Sequence, residues 1–194
     1  MKTKLFMAFA LLFIGSVSLA QGTLQSADTV LNNAYAKAAK ENKKVILIFH
    51  ASWCGWCKKM EASLNDPSCK KMFDDHYVTA YLDVLENPGK ENLQNPRAMD
   101  VLKKYNAATA GLPFWLILDA KGNTLADSEM KPAGAATAKP EDNVGCPTEE
   151  NEVVYFTKVL KATSNLSDED LAVIHKRFLL NKPVPQKAVK TSSK

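Results

Sequence analysis

The chain has 194 residues, 46% of them hydrophobic and 24% charged, which is enough apolar content for one full core and too little length for two comfortable domains. Its formal charge of +4 overstates any basic surface, because Lys2 and Lys4 stand at the N-terminus and Lys182, Lys187, Lys190 and Lys194 crowd the tail. Without those six the body is about −2, and with neither a basic stripe nor a recognisable motif present, nucleic-acid binding is set aside.

Lys2 and Lys4, the apolar run from Leu5 to Ile14 and the small residues of Ser18-Leu19-Ala20 read as a secretory signal over 1–20, with Gln21 as the mature start. The run is shorter than the ~20 residues needed to span a bilayer. A retained membrane anchor is the alternative. No cysteine stands at the junction for lipid attachment. Export, to the periplasm of a Gram-negative cell or otherwise by secretion, matters because disulfides persist outside the cytosol.

Ser26 or Asp28 is suited to cap a helix running to about Asn42, with Val30, Leu31, Ala34, Tyr35 and Ala38 at helical spacing. Val45 to Phe49 is apolar at every position, as expected of a strand covered on both faces. A helix then follows to about Leu64. Asp66 and Pro67 predict a shorter helix capped by the aspartate. Tyr77 to Val84 reads as the next strand and Glu86 to Asn95 as a polar loop, after which Asn95 and Pro96 open a helix to about Asn106. Phe114 to Asp119 and Thr124 to Asp127 form a hairpin around Lys121-Gly122. Residues 128–143 read as a mobile insertion, Thr148 to Ala162 as a helix, and Ser167 as the cap of another bearing Leu171, Ile174 and Phe178. Residues 21–181 thus form one domain, and 182–194 read as a disordered Lys-rich tail. The order predicts an α/β fold, a mixed sheet with helices on both faces and an extra C-terminal helix.

The chemistry sits where the first strand meets its helix, at Trp53-Cys54-Gly55-Trp56-Cys57-Lys58. Cys54 falls at the helix start, where unpaired N–H groups and the positive end of the dipole favour an anion. The thiolate is the nucleophile, so this placement raises reactivity. Cys57, one turn on, is placed to close a disulfide with it. Taken alone, the pair also fits a structural disulfide or half a zinc site.

With the Val/Ile/Leu/Phe strand before it, this segment resembles the thioredoxin active site, and the resemblance covers roughly Ala27 to Thr163. It implies a thioredoxin-like fold and a thiol–disulfide oxidoreductase acting on protein cysteines. No bound cofactor or metal is called for. A membrane or exported redox partner is implied, and the chain is expected to act as a monomer, more as a reductase than an oxidase. Cys54, with an exposed sulfur, would attack a substrate disulfide, and Cys57 would resolve the mixed disulfide. Pro113 resembles the family's cis-proline facing the cysteines. Leu112 would offer its backbone to an extended substrate, and Trp53 and Trp56 would border the site. The family often buries an acidic residue where Ile48 stands here, so activation of Cys57 would fall to water or Glu61. His50, four residues before Cys54, is an accessory candidate for stabilising the thiolate. His76 and His175 read as surface residues. On the family's topology Cys146 lies beside the site as a second accessory candidate, while Cys69 lies past the far end of the active-site helix. A bridge between those two is then strained. A different class remains open: a binding module that holds partners at the Leu112-Pro113 edge while its disulfide stays oxidised.

Overall fold

A computed structural model of the chain describes residues 24–183; the signal expected over 1–20 and all but the first two residues of the tail expected over 182–194 lie outside the described residues. Among the described residues four strands, β1 (Lys44–His50), β2 (Tyr77–Asp83), β3 (Phe114–Leu118) and β4 (Thr124–Asp127), form one sheet in the order β2-β1-β3-β4. The β1/β2 pair is parallel, and β3 runs antiparallel to both β1 and β4.

Among the described residues six α-helices cover this sheet: α1 (Ala27–Glu41), α2 (Gly55–Leu64), α3 (Lys70–His76), α4 (Ala98–Lys104), α5 (Glu150–Thr163) and α6 (Asp168–Leu179). Successive strand side chains point to opposite faces, so the unbroken apolar runs of β1 and β3 feed two cores. Val45, Leu47, Phe49, Phe114, Leu116 and Leu118 pack with α1 and α4. Ile46, Ile48, Trp115 and Ile117 pack with α2, α3, α5 and α6. The second core is aromatic: Phe156 lies 5.3 Å from Trp115 and 4.8 Å from Phe178, centroid to centroid.

The α1 cap is Ser26, whose hydroxyl accepts the Thr29 N–H, and Asn42 ends the helix in the left-handed conformation at φ 52°. Ser167 caps α6 reciprocally with Asp170. Two expected caps are not used. The Asp66 carboxylate accepts from Ser68 N and Oγ and from Arg177 of α6, so the chain turns there and α3 starts at Lys70. Asn95 spends its side chain between β2 and the segment before α1, accepting Asp83 N–H and donating to Gln25 O, so α4 starts two residues later than the Pro96 rule predicts. A 3-10 turn at Glu91–Leu93 lies within the loop expected to be irregular. His175 is not a plain surface residue: its Nε2 pairs with Glu150 Oε1 at 2.9 Å, joining α6 to α5.

The segment 128–143 is stitched at its base. Glu129 pairs with Asn143 in an isolated antiparallel bridge, Val144 N–H donates to Ser128 O, and the Tyr155 hydroxyl donates to the carbonyls of Asp127 and Glu129. Ser128 is fully buried and accepts the Trp115 N–H. No helix among the described residues is long and apolar enough to cross a membrane.

Candidate active site

Strand register brings the site together. In the β1/β3 pair Phe49 faces Phe114, so the residues just before β3 lie beside those just after β1. In the β1/β2 pair His50 faces Asp83, and Val84 N–H continues the ladder to His50 O at 2.9 Å. The turn from Ala51 to Cys54 is therefore flanked on one side by Leu112-Pro113 and on the other by Leu85-Glu86.

Cys54 is the N-cap of α2 and is joined to Cys57 by a disulfide, with 5.3 Å between Cα atoms. Its sulfur accepts the Cys57 N–H at 3.0 Å. In the reduced form that donor and the helix N-terminus face the sulfur, and a charge-assisted bond favours the thiolate. The first turn of α2 holds no acidic residue to oppose it. Cys54 is not exposed as expected: it is 3% accessible against 5% for Cys57. Ala51 and Leu112 close over the pair, so accessibility does not distinguish the two sulfurs, and helix position does.

The Leu112–Pro113 peptide bond is cis, and Leu112 packs on the cysteines. Asn143, from the end of the stitched segment, braces this loop. Its Nδ2 donates to Gly111 O at 2.6 Å and Pro113 O at 3.2 Å, and its Oδ1 accepts Gly145 N–H. Gly145 is held at φ +56°, and a Cβ there would lie 3.5 Å from Pro113 O. The distance is an ordinary contact, so it is the positive φ that favours glycine there.

Trp53 and Trp56 are 50% and 41% exposed and flank the pair as an apolar rim. The Trp53 indole N–H donates to Leu85 O at 2.8 Å, and Lys59 Nζ lies 4.4 Å from the Trp56 ring centroid. A groove of about 240 Å³ opens between Trp56, Leu112 and the Asn143–Cys146 loop.

The remaining sequence candidates separate. His50 turns to β2: its ring centroid lies 5.1 Å from that of Tyr81 with the planes tilted by 56°, and Nε2 lies 3.2 Å from Asp83 Oδ1 without a hydrogen bond between them. Burial raises the Asp83 carboxyl, with His50 opposing and Glu86 adding to the shift. Ile48 is 1% exposed, as the strand pattern requires, and Glu61 is exposed.

Cys69 and Cys146 are free and buried, not bridged. Cys146 lines the groove with Trp56 and Leu112, as the resemblance implied, but its sulfur is packed away, with Asn181 Nδ2 at 3.5 Å. Burial pushes its thiol up to about 12 despite Lys59 and Arg177 nearby, which leaves it poorly suited to act as a thiolate.

Two residues of the site were not legible beforehand. Glu86 lay in a polar loop with nothing to single it out, yet its carboxylate takes both donors of Ser52, N–H at 2.6 Å and Oγ–H at 2.7 Å. Asn143 lay in a Pro/Gly-rich segment. Only the strand register reveals either.

Residues 26–120 match a family model described as Thioredoxin-like. The chain is similar to a protein disulfide-isomerase of Hordeum vulgare, 33% identical over 67 residues, or 34% of this chain, and spans 13% of that relative's length. Among solved structures it is similar to a disulphide isomerase from Xylella fastidiosa Temecula1, at 17% identity over 86% of this chain and 98% of that chain, with a TM-score of 0.48. It is also similar to the oxidised C-terminal domain of Neisseria meningitidis DsbD, at 24% identity over 54% and 84% of the two chains, with a TM-score of 0.38.

Proposed function

We propose that this chain, whose residues 26–120 match a family model described as Thioredoxin-like, is an exported thiol–disulfide oxidoreductase working on protein cysteines, in the reducing direction. The observation that carries the reading is Cys54 at the N-cap of α2, its sulfur facing the Cys57 N–H and bonded to Cys57. A helix N-terminus with no acidic residue in its first turn stabilises a thiolate on the first cysteine and not on the second.

In the reduced protein the Cys54 thiolate attacks a substrate disulfide. A Cys54–substrate bond forms, the substrate S–S bond breaks, and one substrate sulfur leaves as a thiolate. Cys57 then gives up its proton to water and attacks Cys54, closing the protein's own disulfide and releasing the second substrate sulfur. Trp53 and Trp56 supply apolar contact, and the Leu112-Pro113 backbone supplies an edge for an extended segment. Regeneration then requires an exported or membrane-held dithiol donor. The basic, apolar and small-residue pattern over 1–20 supports export, which places the protein in the periplasm if the cell is Gram-negative.

The test pairs insulin reduction by dithiothreitol, with and without the protein, with non-reducing gels of Cys57→Ser and Cys54→Ser. Acceleration by the wild type and reductant-sensitive partner adducts with Cys57→Ser alone are expected. Equal adducts from both variants refute the division of roles. No acceleration and no adducts favour a binding module whose disulfide stays oxidised.

A further inference from the structure

We infer that Glu86 is a positioning residue for Cys54, acting through Ser52; the inference rests on the redox reading above. The turn from Ala51 to Cys54 sets where the attacking sulfur stands. Ser52 and Trp53 within it are both exposed, so burial does not hold them. Hydrogen bonds do. Cys54 N–H closes the turn on Ala51 O at 3.0 Å, Glu86 takes both donors of Ser52, and Leu85 O takes the Trp53 indole.

The acceptor side is itself held. Val84 is fully buried, Glu86 is 9% exposed, and Leu85 sits in the left-handed region at φ 54°, which turns its carbonyl and the Glu86 carboxylate toward the turn. Two donors from one residue on one carboxylate fix orientation as well as distance. The titratable groups facing Glu86 are Lys90 and His50, with Asp83 beyond. Burial works to raise the Glu86 carboxyl, but the Ser52 hydrogen bonds outweigh it and hold the group below the usual range, so it is ionised at neutral pH.

Tether and charge act on Cys54 in opposite senses. Loss of a nearby negative charge favours the thiolate and lowers its titration midpoint. Loss of the tether leaves a fully formed thiolate less well aimed, and it slows attack.

The experiment uses the reduced full chain carrying Cys57→Ser, so that only the first step is seen. Cys54 attacks Ellman's reagent, one nitrothiobenzoate leaves, and a mixed disulfide remains. The rate is followed against pH, thiolate formation is read at 240 nm, and folding is checked by circular dichroism. Glu86→Ala should lower the rate on the alkaline plateau about tenfold, since small misplacements of a reacting atom cost up to ~100-fold. Glu86→Gln, which keeps an acceptor for the Ser52 N–H and a partner for its hydroxyl, should stay within about twofold while its midpoint moves down. Ser52→Ala, which loses one bond, should fall about threefold.

Plateaus equal to the parent's in both Glu86→Ala and Ser52→Ala overturn the inference. So does a Glu86→Gln plateau as low as that of Glu86→Ala, which assigns the effect to charge. If Glu86→Ala does not fold, the other two variants decide on the same terms. A wild type that fails to reduce insulin overturns the redox reading and this inference with it; an active wild type with indifferent variants overturns the inference alone.

Discussion

Asn143→Ala tests whether the stitched segment supports the site. The substitution removes two donations, to Gly111 O and Pro113 O, and one acceptance, from Gly145 N–H. Gly111 is exposed and its carbonyl can turn to water, so that loss costs little. Pro113 is buried, and a buried carbonyl stripped of its partner costs about 1–3 kcal/mol. Gly145 is half-buried and adds a fraction of that. The expected total is about 2 kcal/mol, a roughly 30-fold rise in the unfolded fraction. For a domain of this size, about 2 kcal/mol lowers the melting temperature by about 4–8 °C. Urea unfolding of the oxidised protein, fitted for midpoint and slope, measures the stability change. Insulin reduction under saturating and limiting substrate measures the functional one. A loosened Leu112-Pro113 edge should raise KM and leave kcat nearly unchanged, the pattern of lost uniform binding. An unchanged midpoint with an unchanged KM refutes the reasoning, because the brace would then be a surface contact that water replaces.

Asn181→Ala removes a 6% exposed side chain that donates to Ser63 Oγ at 2.8 Å and accepts from Arg177 at 3.2 Å. It should cost about 1–3 kcal/mol in urea unfolding, and a change below about 0.5 kcal/mol would show the contact to be incidental. In the reduced native protein Cys54, at the helix N-terminus, should react first with Ellman's reagent and Cys57 should follow by closing on it, whereas Cys69 and Cys146, whose thiols burial raises, should react on unfolding; prompt reaction of four thiols would contradict that difference in thiolate character. The raised Cys146 thiol also sets a pH dependence. Its folded value lies above the unfolded one, so its contribution is present in full below about 8.5 and is lost as pH rises from there toward about 12. Cys146→Ala should flatten that part of the alkaline decline in urea midpoint between about pH 8.5 and 10.5. An identical slope in both proteins would mean that other groups carry it.

The sequence by itself determined the parts that depend on near neighbours. Five apolar residues from Val45 to Phe49 can only be a strand covered on both faces, and Ser26 and Ser167 cap the helices that follow them because hydroxyl and N–H lie within one turn. A cysteine at the junction of that strand and its helix is placed at the dipole's positive end by local geometry alone, and a proline opening the second apolar strand marks the opposing loop. Tertiary structure decided wherever one polar group had two possible partners. Asp66 and Asn95 are good caps in isolation, but Arg177 and Asp83 reach them from elsewhere in the fold, and the helices start later. Cys54 stands first on its helix as expected, yet Leu112, brought across by the Phe49–Phe114 register, buries it as deeply as Cys57. Nothing local marked Glu86 and Asn143 as site residues, because the site groups they hold lie 34 and about 30 residues away. A hydrogen bond between such residues depends on strand register, and register is a property of the assembled sheet, not of the segments that enter it.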